Sequence, residues 1–239
     1  MNLKKNLIFI FTLLVLLWGC KKEESDDLYL AGYKLIRSYT QGNIQLAVNV
    51  YSSLYPDISS IVTNTGYGVK VYTIEYRTTF KGQEMIASGM VSVPDDKSSF
   101  PVISFQNGTN TCNSNAPSVN PSNSLYSLLA MMAGNGYIIS IPDYIGFGSS
   151  ESTVHPYYHM ESSNQVIRDM LMAVEELVSN HLSANHDNRL FLMGYSQGGW
   201  ATMASFREFE ADTPAGMSLE AVSCGAGAYN LIDYSEGVL

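Results

Sequence analysis

Gly194-Tyr195-Ser196-Gln197-Gly198 is the stretch that decides the fold of this chain. The run from Arg189 to Met193 before it predicts a buried strand, and the residues from Gln197 to about Glu210 after it predict a helix. A G-x-S-x-G sequence between a strand and a helix is typical of a tight turn that exposes the serine hydroxyl. The alternative is an ordinary Gly/Ser turn with no chemistry.

Ser196 is therefore the candidate catalytic nucleophile. Gly194 and Gly198 leave room where the backbones of the strand and the helix come close together. The free N–H groups and the positive dipole end of the helix lie beside the hydroxyl, where an oxyanion would form. The backbone N–H of Gln197 is thus the first candidate donor of an oxyanion hole.

Short apolar strands alternate with helices along most of the chain. Buried strands are predicted over 101–105, 137–141, 190–193 and 219–224, and helices over 125–133, 162–181 and 197–210. This alternation predicts an α/β fold with a mostly parallel sheet and helices on both of its faces. Strands over 69–80 and 85–93, joined by a turn at Lys81-Gly82, predict an antiparallel hairpin that leads into the sheet. The residues from Leu28 to Tyr55 predict one or two short helices, with a break at Gly42.

Several segments resemble secreted lipases and esterases of the α/β-hydrolase family over roughly residues 67–235. Besides the Ser196 motif, the resemblance is carried by Tyr72-Thr73-Ile74-Glu75-Tyr76-Arg77-Thr78, the strand from Ala87-Ser88-Gly89 to Val93-Pro94, Pro142-Asp143-Tyr144-Ile145-Gly146-Phe147-Gly148 and His155-Pro156-Tyr157. It implies the α/β-hydrolase fold and a serine carboxylic ester hydrolase that works through an acyl-enzyme, without a metal or an organic cofactor. Two alternatives stay open: a serine peptidase of the prolyl-oligopeptidase type, and a non-catalytic surface-binding lipoprotein on a hydrolase scaffold.

The same resemblance implies a second oxyanion donor. Phe105-Gln106-Asn107-Gly108-Thr109 is similar to the strand-end His-Gly segment of the family, with Asn107 in place of the histidine. By that match, the backbone N–H of Thr109 points at the oxyanion. The alternative is an ordinary polar turn.

The acid and the histidine of a hydrolase triad should follow the serine in this fold, and no histidine follows Ser196. His155 and His159 come after a predicted strand, so they share the Ser196 end of the sheet. We expect them to have a loop or packing role, with replacement of the missing base by either one as the alternative. Asp143 is expected to shape a loop beside the site, with a catalytic role as the alternative. Asp233 is a candidate acid.

We expect the acid and the base to lie beyond Leu239. The sheet should then lack its last strands, and the last predicted strand would be left as an apolar edge. The sequence is thus expected to be the C-terminally truncated front part of a hydrolase.

Residues 1–20 are predicted to be a lipoprotein signal peptide. Lys4 and Lys5 precede an apolar run that is too short to span a bilayer comfortably. Leu17-Trp18-Gly19-Cys20 resembles a bacterial lipobox, which makes Cys20 the candidate lipid anchor. The polar tether after it resembles the surface-export signal of Bacteroidota lipoproteins. The expected location is the cell envelope, at the outer membrane and exposed on the surface, with a simple secreted protein as the alternative.

The predicted organisation is a signal peptide over 1–20, a polar tether and N-terminal helical segment over 21–66, and an incomplete hydrolase domain over 67–239. The net charge of -9 argues against a nucleic-acid partner. The expected partners are a small-molecule or lipid ester and, through the anchor, a membrane. Cys112 and Cys224 are expected to be free, partly buried thiols, and no Cys/His spacing indicates a zinc site.

Overall fold

A computed structural model describes residues 27–57, 65–214 and 216–231, and within them it shows one seven-stranded sheet. The strands are β1 (Leu30–Tyr39), β2 (Val69–Phe80), β3 (Gln83–Pro94), β4 (Ser99–Gln106), β5 (Ile138–Pro142), β6 (Asn185–Tyr195) and β7 (Ser218–Gly225). The helices are α1 (Gln41–Leu54), α2 (Ser124–Met132), α3 (Met160–Glu176) and α4 (Gln197–Phe209). A π-helical turn, Leu177–His181, continues α3.

The sheet has an antiparallel part and a parallel part, in the order β1-β2-β3-β5-β4-β6-β7. Strands β5, β4, β6 and β7 are parallel neighbours, whereas β1, β2 and β3 pair antiparallel and β3 runs antiparallel to β5. Lys81 and Gly82 both have positive φ, 51° and 73°, as the two-residue turns favoured in hairpins require. The predicted hairpin is confirmed.

Helices cover both faces of the sheet. One buried cluster includes Ile167, Met170, Leu171 and Val174 of α3 together with Ala201 and Phe209 of α4. The cluster on the other side includes Ile44 and Val48 of α1 and Tyr126 and Leu129 of α2. A mostly parallel sheet between two helical layers confirms the predicted fold class.

The prediction was wrong for the first half of the N-terminal helical segment. Leu30–Tyr39 is a strand at the sheet edge that pairs with β2, so the sheet begins before residue 67. Most of its side chains are exposed or half-buried, so no two-residue apolar alternation is visible in the sequence. The second half is helical as predicted, but Gly42 lies in the first turn of α1 and does not break it.

The start of β1 is bound by the end of α3. The carboxylate of Glu176 accepts hydrogen bonds from the backbone N–H groups of Leu28, Tyr29 and Leu30, at 2.8, 2.9 and 2.6 Å. Asp27 Oδ2 lies 2.6 Å from His181 Nε2. These charge-assisted hydrogen bonds fix the chain to the domain from residue 27 onward.

Some predictions concern residues outside the described part of the chain. Cys20 and the predicted signal peptide lie there, as does Asp233. None of the described helices is long and apolar enough to cross a bilayer. Cys112 and Cys224 are free, as predicted; Cys224 is half-buried as expected, whereas Cys112 is exposed and the prediction of partial burial was wrong for it.

Candidate active site

Ser196 lies at a strained turn between the end of β6 and the start of α4. Its φ of 58° and ψ of -122° fall in a region that costs a non-glycine residue about 1–3 kcal/mol. Backbone hydrogen bonds hold the turn on both sides. The Ser196 N–H donates to Gly225 O at 2.9 Å, and the Ser196 carbonyl accepts from the Trp200 N–H at 3.1 Å. Strain kept by such contacts is typical of functional sites.

The glycines of the motif lie where backbones touch. A Cβ on Gly198 would be 1.8 Å from the carbonyl oxygen of Gln106, and a Cβ on Gly194 would be 2.3 Å from the carbonyl oxygen of Gly198. The first turn of α4 therefore packs directly on the end of β4. The side-chain amide of Gln106 reinforces this contact by bonding the Thr202 hydroxyl of α4 at 2.6 Å.

The loop after β4 reaches the nucleophile. A Cβ built on Gly108 would be 3.7 Å from Ser196 Cβ and 3.5 Å from Tyr195 O. Thr109, the next residue, therefore lies beside the turn at Ser196. Asn107 is buried. Its Nδ2 donates to Gly108 O at 3.0 Å, and its backbone carbonyl accepts from the Tyr144 hydroxyl at 3.0 Å. Asn107 thus holds the shape of this loop.

Gln197, the residue after the nucleophile, is buried and contacts His155. The two Nε2 atoms are 3.0 Å apart, and His155 Nδ1 lies 2.7 Å from Ile145 O. A carbonyl can only accept, so Nδ1 carries the proton and Nε2 keeps a lone pair that accepts from the Gln197 amide. Burial lowers the pKa of His155, which favours the same neutral form.

Known structures share this architecture. Residues 120–232 match the model of a hydrolase family described as serine aminopeptidase, S33. A candidate hydrolase from Legionella pneumophila subsp. pneumophila superposes with a TM-score of 0.73 at 30% sequence identity, over 84% of this chain and 53% of its own length. The chain has the α/β-hydrolase fold. No curated protein matches the chain.

A second solved structure extends the α/β-hydrolase comparison. The rice cell wall degrading esterase LipA from Xanthomonas oryzae superposes with a TM-score of 0.71 at 26% identity, over 85% of this chain and 51% of its own length. The chain therefore spans about half the length of these structures. Together the matches support an α/β-hydrolase family.

In an α/β-hydrolase the acid and the histidine follow the serine, and the four histidines of this chain all precede it. His155 is held by Gln197 and Ile145, as described above. His159 Nδ1 accepts from the Ser162 N–H at 3.2 Å, at the start of α3. His181 Nε2 contacts Asp27 Oδ2, and His186 Nε2 lies 3.8 Å from Glu175 Oε1. Each ring thus has partners other than Ser196.

Asp143 is buried at the end of β5, where it joins three segments of this α/β-hydrolase fold. Its carboxylate accepts from the Ser88 hydroxyl at 2.6 Å and from the Ser118 N–H at 3.1 Å, and it also bonds the Ser118 hydroxyl. Burial raises its pKa, while these hydrogen bonds act in the opposite direction. The contacts support the predicted loop-shaping position.

Tyr157 lies at the site although its place in the sequence did not predict this. Its hydroxyl lies 2.8 Å from Thr109 Oγ1, across the loop that approaches Ser196. Thr109 follows β4 and Tyr157 follows β5, and these two strands are parallel neighbours. The carboxyl ends of neighbouring parallel strands lie at one edge of a sheet, so the strand pattern was the available signal.

Proposed function

We propose that this protein is a serine carboxylic ester hydrolase of the lipase/esterase type. The observation that carries the proposal is the strained conformation of Ser196 at a strand-to-helix turn, with the loop after β4 packed beside it. This is the arrangement that a serine nucleophile needs in an α/β-hydrolase. The structural match to LipA, an esterase, supports the choice of an ester substrate.

In the proposed reaction Ser196 Oγ attacks the ester carbonyl carbon while a base takes the hydroxyl proton. The carbonyl oxygen becomes an oxyanion that accepts hydrogen bonds from the N–H groups of Gln197 and Thr109. Collapse of the tetrahedral intermediate expels the alcohol, which takes the proton, and leaves an acyl-enzyme. Water then attacks the acyl group, and the acid is released with Ser196 restored. Proton transfer and acyl transfer complete the cycle without a cofactor.

We further propose that the base is a histidine, and its partner an acid, in chain beyond Leu239. The other contacts of the four histidines support this, as does a match over only half the length of the related structures. We propose in addition that Cys20 carries a lipid that anchors the protein at the outer membrane, with the domain exposed on the cell surface. The lipobox-like sequence before Cys20 supports the anchor.

Mass spectrometry of the protein as its source organism produces it tests both proposals. We expect an N-terminal peptide that begins with an acylated Cys20, and a C-terminal peptide beyond Leu239 that contains an acidic residue and then a histidine. A mature N-terminus beyond Cys20 that carries no lipid would contradict the anchor and indicate simple secretion. A C-terminus at Leu239 would remove the proposed base.

The family model, which is described as a serine aminopeptidase, favours a peptidase as the second candidate. Parallel assays on short-chain nitrophenyl esters and on amides of N-terminal and proline-containing peptides separate the two candidates. We expect hydrolysis of the esters, with loss of activity when a fluorophosphonate labels Ser196. Faster cleavage of the amides would favour the peptidase. A Ser196 that the phosphonate does not label would favour a non-catalytic binding protein.

A further inference from the structure

One short segment, His155-Pro156-Tyr157, contacts both sides of the proposed oxyanion hole. On one side, His155 Nε2 accepts a hydrogen bond from the side chain of Gln197, the residue after the nucleophile, at 3.0 Å. On the other side, the Tyr157 hydroxyl is 2.8 Å from Thr109 Oγ1. The segment therefore connects the loop of Thr109 to the start of α4 through side chains.

The segment itself is fixed in place. Pro156 restricts its own φ, the Tyr157 N–H donates to His155 O at 3.0 Å, and the His159 N–H donates to Pro156 O at 3.1 Å. His155 Nδ1 is bound to Ile145 O in the loop after β5. The spacing between the His155 ring and the Tyr157 hydroxyl is thus set by a short turn with several hydrogen bonds.

The two sides of the hole differ in how firmly they are held. Gln197 is buried in the first turn of α4, whereas Thr109 is exposed in a polar loop. Tyr157 is itself 48% exposed, so its hydroxyl can hold the loop only while the rest of the segment stays docked. His155 supplies that docking. Its ring packs against the rings of Phe147 and Tyr144, with centroids 5.0 and 5.7 Å away, and it also bonds Gln197.

We infer that His155 and Tyr157 are positioning residues that hold the Thr109 side of the oxyanion hole at a fixed distance from the Gln197 side. The inference rests on the proposed hydrolase function. His155 docks the segment on the turn at Ser196, and Tyr157 holds the Thr109 loop to that segment. Neither side chain needs to touch the substrate.

The kinetic consequence follows from the geometry of oxyanion donors. A donor acts at about 2.7–3.1 Å from the oxyanion, and loss of one donor costs about 10²–10³-fold in rate. In variants of His155 or Tyr157 the Thr109 loop is released but its N–H donor is still present, so the rate should fall less, by about 10-fold. Substrate binding before the reaction should hardly change.

The test measures the reaction of Ser196 with a fluorophosphonate, resolved into a maximal rate and a half-saturating concentration, on the protein as its source organism produces it. Tyr157→Phe removes one exposed hydroxyl oxygen and should leave the fold intact. His155→Asn keeps a donor for Ile145 O but no longer reaches Gln197. We expect each variant to lower the maximal rate about 10-fold at an unchanged half-saturating concentration.

The double variant gives the decisive comparison. Because both substitutions break one connection, we expect the double variant to be about 10-fold slow, not the roughly 100-fold slow that independent effects would give. His155→Gln places an amide oxygen within reach of Gln197 and should recover most of the rate. Tyr229→Phe is the control, since the hydroxyl of this exposed tyrosine bonds Cys224 O, and it should react at the wild-type rate.

Four results would overturn the inference: wild-type rates in both single variants, multiplied losses in the double variant, losses confined to the half-saturating concentration, or a His155→Gln variant as slow as His155→Asn. In each case a wild-type protein that reacts at Ser196 leaves the proposed function standing. A wild-type protein that does not react, like a Ser196→Ala blank, overturns both.

Discussion

Ser196→Ala is expected to abolish reaction with a fluorophosphonate and to lower ester hydrolysis by about 10³-fold or more. The substitution removes the only atom that could form the acyl-enzyme in the proposed reaction. Alanine keeps a Cβ at φ 58°, so the backbone strain and the turn should persist. The measurement is the rate of labelling, followed by mapping of the labelled peptide, together with a thermal melt that shows the variant to be folded.

Ser196→Gly makes this prediction sharper. It also removes the hydroxyl, but glycine adopts a positive φ without steric cost. The release of about 1–3 kcal/mol of strain outweighs the greater flexibility of glycine in the unfolded chain. We therefore expect the glycine variant to melt a few degrees above the alanine variant, while both are inactive. Ser53→Ala, at an exposed serine of α1, should label at the wild-type rate. Normal labelling of Ser196→Ala would place the nucleophile elsewhere.

The central strands that the sequence predicted have side chains buried on both faces of the sheet. Val102, Ile138 and Leu190, one from each of three central strands, are at most 1% exposed, and the strands around them read as short apolar runs. The edge strand β1 has the opposite character. Its hydrogen bonds to β2 are made by backbone groups that every sequence possesses, and its side chains are mostly exposed. Nothing in its residue pattern separates it from an amphipathic helix.

The site likewise has a part that the sequence predicted and a part that it did not. The turn at Ser196 is local, because a strand, five motif residues and a helix follow one another in the chain. The contacts of the connecting segment are not local: His155 and Gln197 are 42 residues apart, and Thr109 and Tyr157 are 48 apart. Such pairs depend on strand order, and β4 lies between β5 and β6 in the sheet. The sequence predicted parallel strands, which puts these residues at one end of the sheet, but it did not specify the strand order and so could not show which of them touch.

Gly198→Ala is expected to damage the site more than any other single methyl group added to the motif. The new Cβ would lie 1.8 Å from Gln106 O, 2.5 Å from Gln106 C and 2.7 Å from Asn107 O. All three are backbone atoms, so no side-chain rotation can relieve the overlap, and α4 must move away from the end of β4. Alanine is a better helix former than glycine by about 1 kcal/mol, yet we expect a net loss of about 3 kcal/mol in the free energy of unfolding.

The same displacement should slow the chemistry of the molecules that remain folded. Gln106 and Asn107 lead directly into Gly108 and Thr109, so moving them away from α4 widens the proposed oxyanion hole. We expect labelling of Ser196 to fall by about 10²-fold or more. Gly66→Ala is the matched control, because a Cβ there would meet nothing within 4 Å; it should change stability by less than about 1 kcal/mol and leave labelling unchanged. A Gly198→Ala protein with wild-type melting and labelling would show that β4 and α4 can separate without cost, and the close contact between them would then have no part in the site.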